Sequence, residues 1–124
     1  MDPRATADHL RARSAARAEA AARQTIELRT QVVEVVQTHL PAAGRAWLIG
    51  SLAWGGFGTR SDIDLVVSGL EEDDETRLEW ALIRSTDRAI ELLRLRDLPP
   101  SFQERVLQEG LAIARTEATH APGN

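Results

Sequence analysis

A glycine–serine pair followed at a fixed distance by two aspartates constrains this chain more than any other feature. Residues 48–67 read LIGSLAWGGFGTRSDIDLVV. An apolar run ends at Gly50-Ser51, and after ten residues the motif Asp62-x-Asp64 leads into a second apolar run. Short apolar runs separated by glycines are typical of strands joined by a turn. The stretch therefore predicts a strand, a glycine-rich connection and a second strand.

The two aspartates are spaced so that they can share a cation. Asp62 and Asp64 are two positions apart, so on an extended strand both side chains point to the same face. Their Cα atoms then lie roughly 6–7 Å apart. Carboxylates at this spacing can hold one divalent cation or a pair of them. The alternate residues Ile63, Leu65 and Val67 point to the other face, which we expect to be buried.

Gly50 and Ser51 form a candidate phosphate-binding turn. Backbone N–H groups must approach a phosphate closely, and a side chain at position 50 would obstruct them. The Ser51 hydroxyl can donate to a phosphate oxygen and can cap a short helix that begins near Leu52. Phosphate binding opposite metal-binding carboxylates is the minimum for moving a phosphoryl or nucleotidyl group. The alternative is a glycine-rich hairpin with two solvated aspartates.

The Gly50-Ser51 pair and the Asp62-x-Asp64 motif together resemble the signature of nucleotidyltransferases built on the DNA polymerase beta palm. The short chain is similar in particular to the minimal nucleotidyltransferases (MNT), the MntA-like antitoxins. The resemblance covers roughly residues 25–114, including the ending LPPSFQERVLQEGLAIA. It implies an α/β (α+β) fold, with a small mixed sheet of three or four strands and helices mainly on one face.

The resemblance also implies an activity and a partner. The activity is Mg²⁺-dependent transfer of AMP from ATP to a hydroxyl, with Asp62 and Asp64 holding the metal and Gly50 and Ser51 binding the β- and γ-phosphates. The implied partner is a HEPN-domain toxin that is silenced by AMP on a tyrosine, which makes this chain the antitoxin of a toxin–antitoxin pair. The chain contains no tyrosine, so a tyrosyl acceptor would lie elsewhere.

A third carboxylate comes from the strand predicted over residues 89–95. Glu91 lies in an otherwise apolar run, where an unpaired charge would be costly to bury but a cation would balance it. Family members usually carry an aspartate at the matching place, so the resemblance implies that Glu91 completes the metal site and helps to deprotonate the acceptor. Asp87 and Asp97 are the other candidates, but they flank the predicted strand.

One position departs from the family pattern. Where this chain has Trp54, family members usually carry an arginine or lysine that contacts the phosphates of the nucleotide. The Trp54 ring could stack on a base or pack on the protein. Arg60, in the same loop, is the candidate nucleotide-binding residue that would supply the missing charge, and the alternative is a solvated side chain.

The flanking segments predict helices. Residues 1–24 are rich in alanine and arginine, which favour helix, and we expect an exposed extension that either docks a partner or has no role. Residues 25–115 form the predicted nucleotidyltransferase domain, and residues 116–124 a flexible tail. The domain begins with a helix to about Leu40 and then continues into strands over Arg45–Ile49 and Ile63–Ser68.

Two further helices are expected after the second strand. The acidic run over residues 71–75 indicates the N-terminus of a helix that extends to about Asp87, rather than a metal site. The last helix opens at Pro99-Pro100, with Ser101 as its cap. Its predicted buried face is made of four apolar residues, namely Phe102, Val106, Leu107 and Leu111.

Length and composition exclude several classes of protein. The chain has 124 residues, enough for one core, and its formal net charge of −4 argues against direct nucleic-acid binding. It has no cysteine, which excludes a disulfide framework and cysteine metal sites. We expect a soluble cytoplasmic protein, since the sequence shows neither a membrane-spanning run nor a signal-peptide pattern.

Two other functions remain open at the level of sequence. A catalytically weak or inactive antitoxin that neutralises its partner by binding alone is favoured by the departures at Trp54 and Glu91. A small-molecule nucleotidyltransferase is the third possibility, although that activity usually requires an additional substrate domain.

Overall fold

Four strands form one mixed sheet in the described part of the chain. The computed structural model describes residues 3–58 and 61–115. The strands are β1 (Arg45–Ile49), β2 (Ile63–Ser68), β3 (Ile90–Arg94) and β4 (Leu111–Ile113). Their order across the sheet is β3-β2-β1-β4, with β1 antiparallel to both β2 and β4, and β2 parallel to β3. The predicted small mixed sheet is confirmed, with β1 and β2 at the predicted residues.

The helices pack on both faces of this sheet, but most of them lie on one face. They are α1 (Pro3–His39), α2 (Gly50–Trp54), α3 (Glu72–Thr86) and α4 (Pro100–Glu109), and a 3₁₀ turn spans Leu95–Asp97. The helix α3 makes the crossover between the parallel strands β2 and β3, which a tight turn could not connect. Among the described residues, no helix combines the length and the apolar character that crossing a membrane requires.

The core consists of two clusters, because successive side chains of a strand point to opposite faces of the sheet. The larger cluster lies between the sheet and α1, α2 and α3, and it contains the fully buried Leu65. The smaller cluster lies under α4, where Val106 packs against Trp47, Ile49 and Val66. The prediction that Ile63, Leu65 and Val67 form a buried face is confirmed, since each is at most 1% exposed.

The first helix is longer than either predicted segment. The two helical segments predicted before and after residue 24 form one continuous helix of 37 residues, because no proline or glycine interrupts the chain between Pro3 and Pro41. Its first half is largely exposed, and Leu10 is 56% exposed. Packing against the larger cluster begins at Leu28 and is complete at Val32.

The acidic run begins a helix, as predicted. Glu71 is the N-cap of α3, and its backbone N–H donates to the Asp74 carboxylate at 3.2 Å, in a reciprocal capping box. Negative charge in the first turn also interacts favourably with the helix dipole. Further along, Arg94 of β3 donates to both carboxylate oxygens of Glu75, at 2.8 and 2.7 Å, and this lowers the pKa of Glu75.

Two predictions about the last helix are wrong. Ser101 is not its cap, because Pro99 is the N-cap and Pro100 begins the helix without needing an N–H partner. The predicted buried face is also too wide. Phe102 and Val106 pack inward, whereas Leu107 is 51% exposed and Leu111 lies in β4, beyond the end of the helix.

Candidate active site

Three adjacent strand positions bring the candidate site together. In the register of the sheet, Asp64 of β2 pairs with Ile49 at the end of β1 and with Glu91 on β3. Gly50 follows Ile49 directly, so it lies next to Asp64. Side chains alternate along a strand, so Asp64 shares a face with Val66, which α4 covers. Asp64 and Glu91 therefore lie on the face of the sheet that α4 covers. The glycine–serine turn begins beside Asp64.

Asp64 and Glu91 occupy paired positions on β2 and β3, so their side chains lie side by side on one face of the sheet. Burial is the largest cause that raises the pKa of Asp64, and the negative charge and hydrogen bond of Glu91 raise it further. Asp62 adds a smaller effect of the same sign. Like charges held this closely disfavour one another's ionised form, and a cation would relieve that repulsion. The structure places Glu91 on β3, in register with Asp64, and places Asp87 and Asp97 on either side of that strand.

Asp62 lies just outside the strand. The strand β2 begins at Ile63, whose backbone N–H donates to the Ala89 carbonyl at 3.0 Å, and Asp62 is exposed. Over residues 3–58 and 61–115, no three acidic or histidine side chains are arranged closely enough to hold one ion. The metal-binding role of Asp62, Asp64 and Glu91 therefore stays a prediction.

The absence of a side chain at Gly50 leaves room for the Asp64 carboxylate. Its φ of +72° is in the left-handed region, and a Cβ there would collide with Oδ2 of Asp64. The helix α2 begins at Gly50 with Ile49 as N-cap and no capping side chain, so the prediction that Ser51 caps this helix is wrong. Ser51 lies in the first turn of α2 and is partly buried.

Trp54 packs against α4. Its indole N–H donates to the carbonyl oxygen of Glu109 at 2.9 Å, and the guanidinium of Arg105 lies 4.3 Å from the centroid of the ring. Of the two roles considered for Trp54, stacking on a base and packing on the protein, the structure shows packing on the protein. Arg60 lies outside the described residues, so its predicted role in nucleotide binding stays a prediction.

The comparison with protein families decides the identity of the domain. Residues 30–119 match the family model "Polymerase beta, Nucleotidyltransferase". The chain belongs to this nucleotidyltransferase family. The match covers most of the sequence, and it includes the glycine–serine turn and all three candidate carboxylates. No curated protein matches the chain significantly.

Solved structures show the same nucleotidyltransferase fold. A candidate minimal nucleotidyltransferase is 29% identical with a TM-score of 0.55, over 70% of this chain and 93% of that one. A chain from a toxin–antitoxin crystal structure with AMP-PNP is 22% identical with a TM-score of 0.55, over 72% and 74%. A chain from a complex of tri-AMPylated Shewanella oneidensis HEPN toxin with MNT antitoxin is 19% identical with a TM-score of 0.50, over 77% and 76%. The resemblance to minimal nucleotidyltransferases is confirmed.

Sequence reasoning missed the contacts between α4 and Trp54. Arg105 and Glu109 reach Trp54 across a large separation in the sequence, and neither belongs to a motif. The only available signal in the sequence is that Trp54 stands where family members usually carry a basic residue. This indicates that a residue at another position supplies the positive charge.

The close approach of Gly50 to Asp64 leads to a first testable prediction. We expect Gly50→Ala to weaken binding of ATP with Mg²⁺ by tenfold or more, on the order of 1.4 kcal/mol, because its Cβ displaces the Asp64 carboxylate. The measurement is titration calorimetry with the full chain. Gly56→Ala is the matched control, since Gly56 also has a positive φ, of +85°, but open space around it.

Both alanine variants should lose about 1–2 kcal/mol of stability through the strained backbone alone. Equal ATP affinities for the two variants would contradict the inference that the glycine is needed to place Asp64.

Proposed function

We propose that the protein is a Mg²⁺-dependent nucleotidyltransferase that transfers AMP from ATP to a hydroxyl group of a partner protein. The observation that carries the proposal is the pairing of Asp64 with Glu91 across β2 and β3, directly beside Gly50, with Asp62 two residues before Asp64. Membership of the family supports nucleotidyl transfer. The nucleotide is ATP, in keeping with the AMP-PNP present in one toxin–antitoxin structure of similar fold.

The chemical type of the three candidate side chains suits a magnesium ion, although they are not gathered into one three-ligand group. Asp62, Asp64 and Glu91 offer carboxylate oxygens, the ligands that Mg²⁺ prefers. Burial and two neighbouring carboxylates raise the pKa of Asp64, which disfavours its ionised form, and a bound divalent cation would oppose this effect by stabilising the carboxylate. When bound there, the metal would neutralise charge on the triphosphate and orient it.

The remaining chemistry belongs to the residues of the chain. Gly50 and Ser51 hold the β- and γ-phosphates, through backbone N–H groups and the Ser51 hydroxyl. The acceptor oxygen forms a bond to the α-phosphorus, the bond from that phosphorus to the oxygen bridging to the β-phosphate breaks, and pyrophosphate leaves. The proton of the acceptor hydroxyl passes to a carboxylate oxygen of Glu91, which lies beside Asp64 on the neighbouring strand.

The proposed partner is a HEPN-domain toxin, and the proposed acceptor is one of its tyrosines. A complex between a tri-AMPylated HEPN toxin and an MNT antitoxin provides the precedent in a structure of similar fold. This chain would then act as an antitoxin. The exposed first half of α1, with Leu10 at its surface, is the proposed docking extension, and residues 25–115 are the proposed catalytic domain.

Calorimetry with ATP tests the proposed site. We expect ATP to bind in the presence of Mg²⁺ and to bind much more weakly without it. The Asp62→Asn substitution removes one ligand charge while keeping the shape of the side chain, and it should abolish the Mg²⁺-dependent binding. Asp8→Asn is the control, because Asp8 is also an exposed aspartate but lies in the first half of α1. Tight ATP binding that ignores both the metal and the Asp62→Asn substitution would overturn the proposal.

A further inference from the structure

One surface arginine stacks on Trp54, which lies on the helix that begins at the proposed phosphate site. The guanidinium of Arg105 lies over the Trp54 ring, at 4.3 Å from its centroid. The ring is itself anchored, since its N–H donates to the Glu109 carbonyl at 2.9 Å. A cation over an anchored aromatic face loses much of its freedom before any ligand arrives. Arg105 is thereby held in one region, although its side chain stays 49% exposed.

The short helix α2 links this arginine to the Gly50–Ser51 turn. Trp54 is four residues after Gly50, about 6 Å along the helix axis, and residues four apart lie on the same helix face. The opposite face carries the fully buried Leu52. Val106, next to Arg105 in α4, packs against Ile49, the residue before Gly50. Trp54, whose ring Arg105 covers, is therefore about one helical turn from the proposed phosphate-binding turn.

Arg105 also keeps its hydrogen-bond donors available. Within the described ranges it forms no hydrogen bond, and its ion pair with Glu109 is long, at 3.8 Å, between half-exposed groups. Arg94 and Arg29 differ from it, because they donate to Glu75 and to the Leu52 carbonyl, respectively. A guanidinium carries five N–H donors in a planar fork, which suits phosphate oxygens.

We propose that Arg105, positioned by Trp54, binds the β- and γ-phosphates of the nucleotide. This inference rests on the proposed function, and it names the residue that brings positive charge to a site with three carboxylates and a triphosphate. Trp54 contributes indirectly, since it holds the guanidinium. A cation delivered from α4 would replace the basic side chain that is missing at position 54.

Calorimetry with the full chain, ATP and Mg²⁺ tests the proposal. Arg105→Ala should lower the affinity for ATP by about tenfold or more, because charge-assisted hydrogen bonds to the phosphates are lost. AMP lacks those phosphates and should bind as it does to the wild type. Arg105→Gln, which keeps much of the stem, should show the same loss, and Arg105→Lys should restore part of the affinity.

Arg45 supplies the matched control. Its guanidinium lies over the Trp47 ring at 4.8 Å, but at the start of β1, about 16 Å from Gly50 at the rise of a β-strand. Arg45→Ala removes the same kind of contact and should leave ATP affinity unchanged. Thermal unfolding of each variant identifies any loss of affinity that comes from loss of the fold.

Moving the arginine from position 105 on α4 to position 54 on α2 gives the most specific test. The double variant Trp54→Arg with Arg105→Ala returns a guanidinium to α2 and should recover ATP affinity relative to Arg105→Ala. A folded double variant with no recovery, or Arg105→Ala and Arg105→Gln variants that bind ATP like the wild type, would overturn the inference while Mg²⁺-dependent ATP binding by the wild type stands. A wild type without such binding would overturn the proposed function as well.

Discussion

Glu91→Gln is expected to slow AMP transfer by about 10²–10⁴-fold, the range typical of general acid–base catalysis. The substitution keeps the shape of the side chain and removes the group that accepts the proton. ATP binding should change much less, because Asp62 and Asp64 remain to hold the metal. The measurement is the single-turnover rate of pyrophosphate release, with the acceptor protein in excess and the ATP affinity determined separately.

A matched substitution separates this effect from a general change in charge. Glu34→Gln removes one carboxylate from the exposed side of α1, away from the strand ends, and should leave the rate unchanged. If Glu91→Gln transfers AMP as fast as the wild type, the third carboxylate is wrongly assigned. Asp87, which ends α3, and Asp97, in the 3₁₀ turn, would be the next residues to test.

The second large effect concerns stability. Leu65→Ala should lower the free energy of unfolding by about 2–5 kcal/mol, because it leaves a cavity in the larger cluster, where Leu65 is fully buried. A loss of that size is a large fraction of the 5–15 kcal/mol that is typical of a folded domain. Urea unfolding followed by circular dichroism measures it.

Leu10→Ala is the control for the same chemical change at an exposed position. Leu10 is 56% exposed on the first half of α1, so its truncation should change stability by only a few tenths of a kcal/mol. Similar losses for the two variants would show that β2 is not the centre of the core. They would also contradict the division of this strand into a buried face and a face with carboxylates.

That division explains why much of the site could be predicted from the sequence. Asp64 alternates with Ile63 and Leu65, and a period of two fixes which residues share a face. The parallel strand β3 could be located from a single carboxylate in an apolar run, and its register sets Glu91 beside Asp64. Local patterns were sufficient here because one carboxylate interrupts the apolar residues in each of the strands β2 and β3.

Other features depend on contacts that no local pattern encodes. The strand β4 has only three residues after Gly110, and Leu111 was assigned to the preceding helix because apolar residues continue past its end. The contacts of Trp54 with Arg105 and Glu109 join α2 to α4, and they exist only because both helices flank the end of β1. Long-range packing of this kind is set by the tertiary fold, so the sequence indicated a missing cation but not its replacement.

The most direct test of AMP transfer is the mass of the partner. The HEPN-domain protein that we expect the neighbouring open reading frame to encode is incubated with the full chain, ATP and Mg²⁺, and its intact mass and modified residue are then determined by mass spectrometry. We expect a mass increase equal to one or more AMP groups, located on tyrosine and absent when ATP or Mg²⁺ is left out. A partner that is silenced while its mass stays unchanged would rule out silencing by AMP transfer and favour an antitoxin that acts by binding alone.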